Sequence, residues 1–341
     1  MRGARVATGP ALDHLSRLTD ERGLFEHALH ADPRPEHGYC LDDVGRALVV
    51  VCREPATNQD VPRLASNYLD FTLSAVQGDG SCHNRMSVDG QWRDTPAFGD
   101  WWGRAIWGLG VAAVRAPTLA MRARALRGFR TAARGRSPHP RSMVFAALGA
   151  AELLLSQPGE SSARHLLRDA VTAIGSAGTD PMWPWPQARL TYANGSLVEA
   201  LLLAGAALPD PSALTRGLRL AQFLLDTETL DGHLSVTPVG GRGPGDPKPA
   251  FDQQPIEVAA LADAFARAYS LTGEDKWRDA VRMAWAWFDG DNDSATPMFD
   301  PATGGGFDGP ERDGNNLNQG AESTLAALST AQHAHRLGLI G

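Results

Sequence analysis

The chain has 341 residues, 43% apolar and 21% charged, with a net charge of −7, so it can bury a large core and lacks the basic surplus of a nucleic-acid binder. Its three cysteines, Cys40, Cys52 and Cys82, form no CxxC pair and argue against a disulfide framework and a zinc site. No apolar run reaches membrane-spanning length, because Glu199 interrupts the longest, and MRGARVATGP leads into an amphipathic stretch rather than a signal core; a cytoplasmic protein without a membrane partner is expected.

In chain order, Ala11 to Leu29 repeats leucines at roughly helical spacing and predicts an amphipathic helix. After the loop HADPRPEHGYC a helix starts near Leu41, and Val61 to Val76 is amphipathic. A long loop containing Trp92 leads to Phe98–Val114, apolar nearly all round, and Pro117 to Gly135 is Arg-rich and amphipathic. The alternation continues with Ser142–Leu155 apolar, Ser161–Ile174 amphipathic, Leu190–Ala204 apolar and Ser212–Asp226 amphipathic. Pro255 opens another apolar helix, as expected of proline in a first helical turn; Asp275–Asp289 is amphipathic, and a Gly-rich loop delivers the chain to an apolar helix near residue 320.

The result is twelve helices in strict alternation, six mostly apolar and six amphipathic. Helices apolar all round are buried, whereas amphipathic ones are wetted on one side. Six hairpins closing into two concentric rings satisfy both requirements, so an all-α (α/α)6 toroid over 1–341, one catalytic domain, is expected. An open solenoid would not need such uniformly buried alternate helices.

Loops entering the apolar helices are long and polar, while those leaving are mostly short, such as REPATNQD. A pocket is therefore expected at the N-terminal mouths of the inner ring, where free N–H groups and helix dipoles favour carboxylates and hydroxyl-rich ligands. Six segments converge there. HGYCLDDVGR offers His37, Tyr39, Asp42 and Asp43; FGDWWGRAIW offers Asp100, Trp101, Trp102 and Arg104; HPRSMVF offers His139 and Arg141. MWPWPQARLTYANGSLVEA offers Trp183, Trp185, Tyr192 and Asn194. The long loop around KPAFDQQPIE offers His233, Asp252, Gln253, Gln254 and Glu257, and GGGFDGPERDGNNLNQGAEST offers Asp308, Asn318, Gln319 and Glu322.

Indole planes beside carboxylates and amides suit a sugar, whose apolar faces stack on tryptophan while its hydroxyls bond to carboxylate, amide and guanidinium groups. Glycoside cleavage needs one protonated carboxyl and one carboxylate. Asp43 and Glu257 are the expected pair, with Asp252 a third catalytic candidate and Asp100 and Glu322 in reserve. Each has a structural alternative. Asp42 and Asp43 can cap a helix and pair with Arg46, Glu257 and Glu322 can pair with Arg104 or Arg46 across the axis, and Trp101, Trp102 and Trp107 can be core.

The strings HGYCLDDVGRAL, FGDWWGRAIWGLG, RSMVFAALGAAEL, WPWPQARLTYANGSLVEALLLAG, KPAFDQQPIEVAALADA and FDGPERDGNNLNQGAESTLAAL resemble the six-hairpin glycosidase superfamily. They are also similar to a bacterial carbohydrate-active family often fused to, or labelled as, glycosyltransferases. The resemblance runs from His37 to Leu328 and implies an α/α toroid with a carbohydrate role. It carries no catalytic assignment, and no nucleotide-sugar Rossmann domain accompanies it in this chain.

The expected activity is glycoside hydrolysis of an oligosaccharide or glycan, without metal or other cofactor. A phosphorylase using Arg242 and Lys248, a sugar 2-epimerase using His37 and His233, and a non-catalytic sugar-binding protein are the alternatives. Terpene cyclisation is disfavoured by the amide-rich mouth, and a lanthionine-cyclase zinc site by too few cysteine and histidine ligands at Cys40, Cys82 and His83.

Overall fold

Local signals set the helix ends. A computed structural model describes residues 11–55, 58–312 and 314–341; the N-terminal stretch read as lacking a signal core lies outside them. Pro140, Pro211 and Pro255 occupy the first helical turn of α6 (Pro140–Ser156), α9 (Pro211–Thr227) and α10 (Pro255–Thr272). Asp210 caps α9 by accepting from the backbone N–H groups of Ser212 and Ala213, and Gly273 ends α10 in the left-handed conformation, which glycine adopts without a Cβ penalty.

Six inner helices result: α2 (Leu41–Arg53), α4 (Asp100–Arg115), α6, α8 (Asn194–Ala207), α10 and α12 (Ala321–Arg336). They pack in that order, and α12 returns to α2, closing the ring. The outer helices are α3 (Val61–Ala75), α5 (Leu119–Ala132), α7 (Ser161–Ile174), α9 and α11 (Asp275–Phe288), each packed on the inner helix before it. Gly149 lets α6 approach the backbone of Ile106 in α4, and Gly195 brings α8 against Ala260 of α10; a Cβ at either would collide with a carbonyl group. Inner and outer rings share one hydrophobic core.

One expected helix is corrected. The amphipathic stretch 11–29 is helical only in α1 (Asp13–Arg17). The Asp20 side chain accepts from the N–H groups of Arg22 (2.8 Å) and Gly23 (3.0 Å) and turns the chain, after which Phe25 bridges to Tyr39. Leucine spacing mimicked a helix because these side chains fill the core from a turn. Short α1 still packs on α12 and completes the sixth hairpin.

The mouth loops carry five two-stranded antiparallel ribbons. These are β1 (Ala28–Leu29) with β2 (Asp32–Pro33), β3 (Tyr39–Cys40) with β4 (Arg85–Met86), β5 (Thr229–Leu230) with β6 (His233–Leu234), β7 (Phe299–Asp300) with β8 (Gly305–Gly306), and β9 (Gly309–Glu311) with β10 (Gly314–Asn316). All lie in connections that enter inner helices, so they wall the N-terminal end of the ring. No helix among the described residues is long and apolar enough to cross a membrane.

Candidate active site

The mouth holds a cavity of about 550 Å³, within the roughly 300–1,000 Å³ typical of small-ligand sites. It is off-centre. Asp42, Asp43 and Arg46 line it from α2, Glu322 and Ser323 from α12, Asp252, Gln253 and Gln254 from the loop entering α10, and Asp308, Glu311 and Asn316 from the loop entering α12. In the ring α12 stands between α2 and α10, so Asp43 and Asp252 reach the cavity from the two sides of α12.

Arg46 organises one wall. Its guanidinium donates to Asp42 Oδ2 at 2.7 Å, Asp43 Oδ1 at 2.7 Å and Glu322 Oε2 at 2.5 Å. Burial alone would lower the arginine's pKa, but Glu322, Asp42 and Asp43 more than offset this and keep it charged. One cation cannot neutralise three carboxylates. Asp43, 3% exposed, is pushed up to about 8 chiefly by burial, with Asp42 and Glu322 adding to the rise and Arg46 opposing it. Carboxylate oxygens of Asp42, Asp43 and Glu322 all lie within 4.8 Å of one another, a spacing able to hold a cation; the Arg46 guanidinium already bonds to all three.

Further groups fix this wall. Asn84 Oδ1 accepts from Asp42 N (3.3 Å) and from Cys40 Sγ (3.3 Å), holding the start of α2. Glu26 pairs with Arg85 and lies within the same 4.8 Å grouping as Cys40 and Asp43. Asp308 accepts from Gly320 N (3.1 Å) and Ser323 Oγ (2.7 Å), so it caps α12 from another loop; burial raises its pKa. On the far side, Gln253 donates to Asp293 Oδ2 at 2.6 Å, and His233 Nε2 meets Asp293 Oδ1 at 2.9 Å. This row braces the loop tip that presents exposed Asp252.

Several expected residues have other tasks. Glu257 does not line the cavity: its carboxylate accepts from Ala193 N, Asn194 N (3.4 Å) and Asn194 Nδ2 (3.2 Å), holding the start of α8. Trp102 is fully buried and donates to Ala132 O at 3.1 Å, and Trp101 donates to Cys82 O at 2.8 Å. Trp185 is buried and stacks on Phe223, while Trp183 meets the same ring edge-on and donates to Gln187 O. These indoles pack the loop entering α8 onto α9 instead of facing the cavity. Tyr39 is core, its hydroxyl donating to Asp20 Oδ2 at 2.6 Å. Asp100 accepts from Ser142 Oγ at 2.5 Å, Gln319 bonds to Thr303 and Asp300, and Asn318 Oδ1 accepts from His30 N. His37, Tyr192 and His233 lie outside the cavity wall as well.

Arg104 lies beneath the site, between the rings of Phe145 (3.6 Å) and Trp107 (5.7 Å), with Nε 3.8 Å from Asp42 Oδ1. Burial lowers its pKa to about 10. Trp107 is core, as its alternative reading held. All three cysteines are buried and unpaired. Sequence reasoning missed Glu26, His27, Asn84, Arg85, Asp293 and Glu311. Glu26 and His27 were hidden inside the expected first helix, and the polar run His83-Asn84-Arg85 in the Trp92 loop was the available signal for that wall.

No family model matches the chain, and no curated protein is significantly similar to it. Solved structures are similar along nearly its whole length. A cellobiose 2-epimerase from Bacillus thermoamylovorans has a TM-score of 0.71 at 12% identity, covering 96% of both chains. A sugar epimerase from a ruminal bacterium gives 0.70 at 13%, covering 95% of each. A GH76 α-mannanase from Bacteroides thetaiotaomicron gives 0.64 at 10%, covering 94% of this chain and 93% of that one. At such identities the likeness is one of fold, and the fold of this chain is the (α/α)6 toroid.

Proposed function

We propose that the protein is a glycoside hydrolase acting on a neutral or cationic glycan, with Asp43 as proton donor and Asp252 as the carboxylate that acts on water or on the sugar. The observation that carries this reading is a buried carboxyl, Asp43, in the wall of a cavity lined by further carboxylates; burial pushes its pKa up, to about 8. Glycosidases require this inequality between two carboxyl groups. Asp43 donates its proton to the glycosidic oxygen as the bond breaks. Arg46 stays cationic throughout and keeps Asp42 and Glu322 available to accept sugar hydroxyls.

Charge favours water over phosphate as the acceptor. Glu26, Asp42, Asp252, Asp308, Glu311 and Glu322 line the cavity against two arginines, Arg46 and Arg85, both already paired with acids. Arg242 and Lys248, the candidates for phosphorolysis, bond instead to the carbonyls of Ser235, Val236 and Thr229. Epimerases share the fold, but proton removal from a sugar carbon needs a paired base and acid, and His27 is the single imidazole lining this cavity among the described residues.

The test is a panel of neutral, amino and acidic oligosaccharides incubated with and without phosphate, with reducing ends and anomers followed by NMR. Reducing-end release without phosphate, abolished in Asp43→Asn, is expected. Phosphate-dependent cleavage, isomer formation without cleavage, or full turnover in both Asp43→Asn and Asp252→Asn contradicts the reading.

A further inference from the structure

The inner helices finish at the opposite end of the ring, and there a second charged cluster gathers that the mouth does not use. Arg53, Arg115 and Arg336 are the last residues of α2, α4 and α12, and Arg267 lies in the final turns of α10. Along α2, Arg53 is about 15 Å from Asp43 at roughly 1.5 Å per residue. With Glu152 and Asp263 the four arginines line a separate cavity of about 220 Å³.

The carboxylates there are outnumbered. Asp263 pairs with Arg53 at 2.8 Å; Glu152 pairs with Arg267 at 2.8 Å and with Arg115 at 3.5 Å, and buried Glu199 of α8, outside the cavity wall, approaches Arg267 at 3.9 Å. Arg336 has no carboxylate within 4.0 Å among the described residues. Its Nε donates to Gln332 O (3.1 Å) and its Nη2 to His333 Nδ1 (3.1 Å). His333 adds no charge: it accepts from Arg336 on one nitrogen, meets Asp263 at 2.5 Å with the other, and burial drives its pKa down to about 4. Burial, followed by repulsion from Arg53, lowers Arg336 to about 10, and the buried Arg267 Nε has no partner. Arginine at a helix C-terminus answers the local dipole, which accounts for one cation per helix end. It does not account for four converging on one cavity with two carboxylates in its wall and a third, Glu199, behind it.

We propose that this cavity is a binding site for a compact dianion, a phosphate group either free or borne on a small metabolite, held by Arg336, Arg115, Arg267 and Arg53. The guanidinium fork matches such an oxyanion in two-point contact. The site rests on none of the mouth chemistry and stands if the hydrolase reading fails.

Isothermal titration and thermal unfolding of the full chain with inorganic phosphate and, separately, glucose 6-phosphate test it, against sodium chloride at matched ionic strength. Saturable binding is expected, with a midpoint raised beyond that of the chloride control. Arg336→Gln and the half-exposed Arg115→Gln are each expected to weaken it at least tenfold. Binding of free phosphate identifies the ion itself as sufficient, and binding of the sugar phosphate alone identifies a borne group. No binding of either above chloride, or affinity unchanged in the folded Arg115→Gln and Arg336→Gln proteins, overturns the proposal.

Discussion

Arg46 and Glu322 stand 276 positions apart in the chain, and their charged groups meet at 2.5 Å where the last inner helix closes on the first. The same guanidinium holds Asp42 and Asp43, so closure of the ring and the electrostatics of the mouth depend on one side chain. Arg46→Met leaves the partly exposed carboxylates of Asp42 and Glu322 without their cation and removes a donor from buried Asp43, and is expected to cost about 1–3 kcal/mol, read from urea unfolding at pH 7. Part of that loss should return at pH 5 as the orphaned acids take up protons. A loss under about 1 kcal/mol, the level of an exposed pair, would refute this account.

Asp43 acts as an acid only while it holds its proton, and burial holds it there to about 8. Activity is therefore expected to decline as the pH rises through about 8. Asp43→Asn should lower kcat/KM by about 10²–10⁴-fold while the circular dichroism spectrum is retained. A wild-type rate in the variant would remove Asp43 from the chemistry.

The same displacement couples stability to pH. An unfolded carboxyl titrates near about 4, whereas Asp43 and Glu257 titrate in the folded chain at about 8. Their contribution is complete below about pH 4 and is lost as the pH climbs through about 8. Unfolding free energy should fall across that window, and less steeply in Asp43→Asn/Glu257→Gln. Equal slopes in variant and parent would contradict the assignment.

Glu257 separates a catalytic from a structural carboxyl. Burial keeps it protonated at neutral pH while it accepts from the start of α8. Both of its oxygens accept from N–H groups, so Glu257→Gln, which turns an NH2 toward one of them, should cost about 1 kcal/mol or more at pH 7 and leave turnover of the folded protein intact. Glu257→Ala strands the N–H groups of Ala193 and Asn194 and should cost about 1–3 kcal/mol. Loss of turnover in a stable Glu257→Gln protein would restore it to the reaction.

Trp185 is buried against Phe223, away from the cavity. Its replacement by alanine is expected to destabilise by about 3–5 kcal/mol and to leave KM for a cleaved glycan unchanged at temperatures where the variant is folded. A raised KM with unchanged stability would reverse that placement.

The toroid was legible because burial leaves a period in the chain: α8 is apolar on every side, α7 on one, and proline, aspartate and glycine punctuate their ends. The mouth was legible as a rim, since long polar loops enter the inner helices. Which rim residues face one another was not. Helices α2, α10 and α12 become neighbours through ring closure, and residues separated by hundreds of positions have no local signal of contact.

Sequence alone therefore determined the alternating helices, the closed ring and the end that gathers acids, because these follow from hydrophobic period and helix-terminal chemistry. Tertiary structure decided that Asp43, Asp252 and Glu322 share a cavity while Glu257 and the indoles of Trp102 and Trp185 turn inward. The reason is physical: a carboxylate or an indole on a loop reads the same in the chain whether it meets solvent or a backbone N–H, and packing alone selects between them.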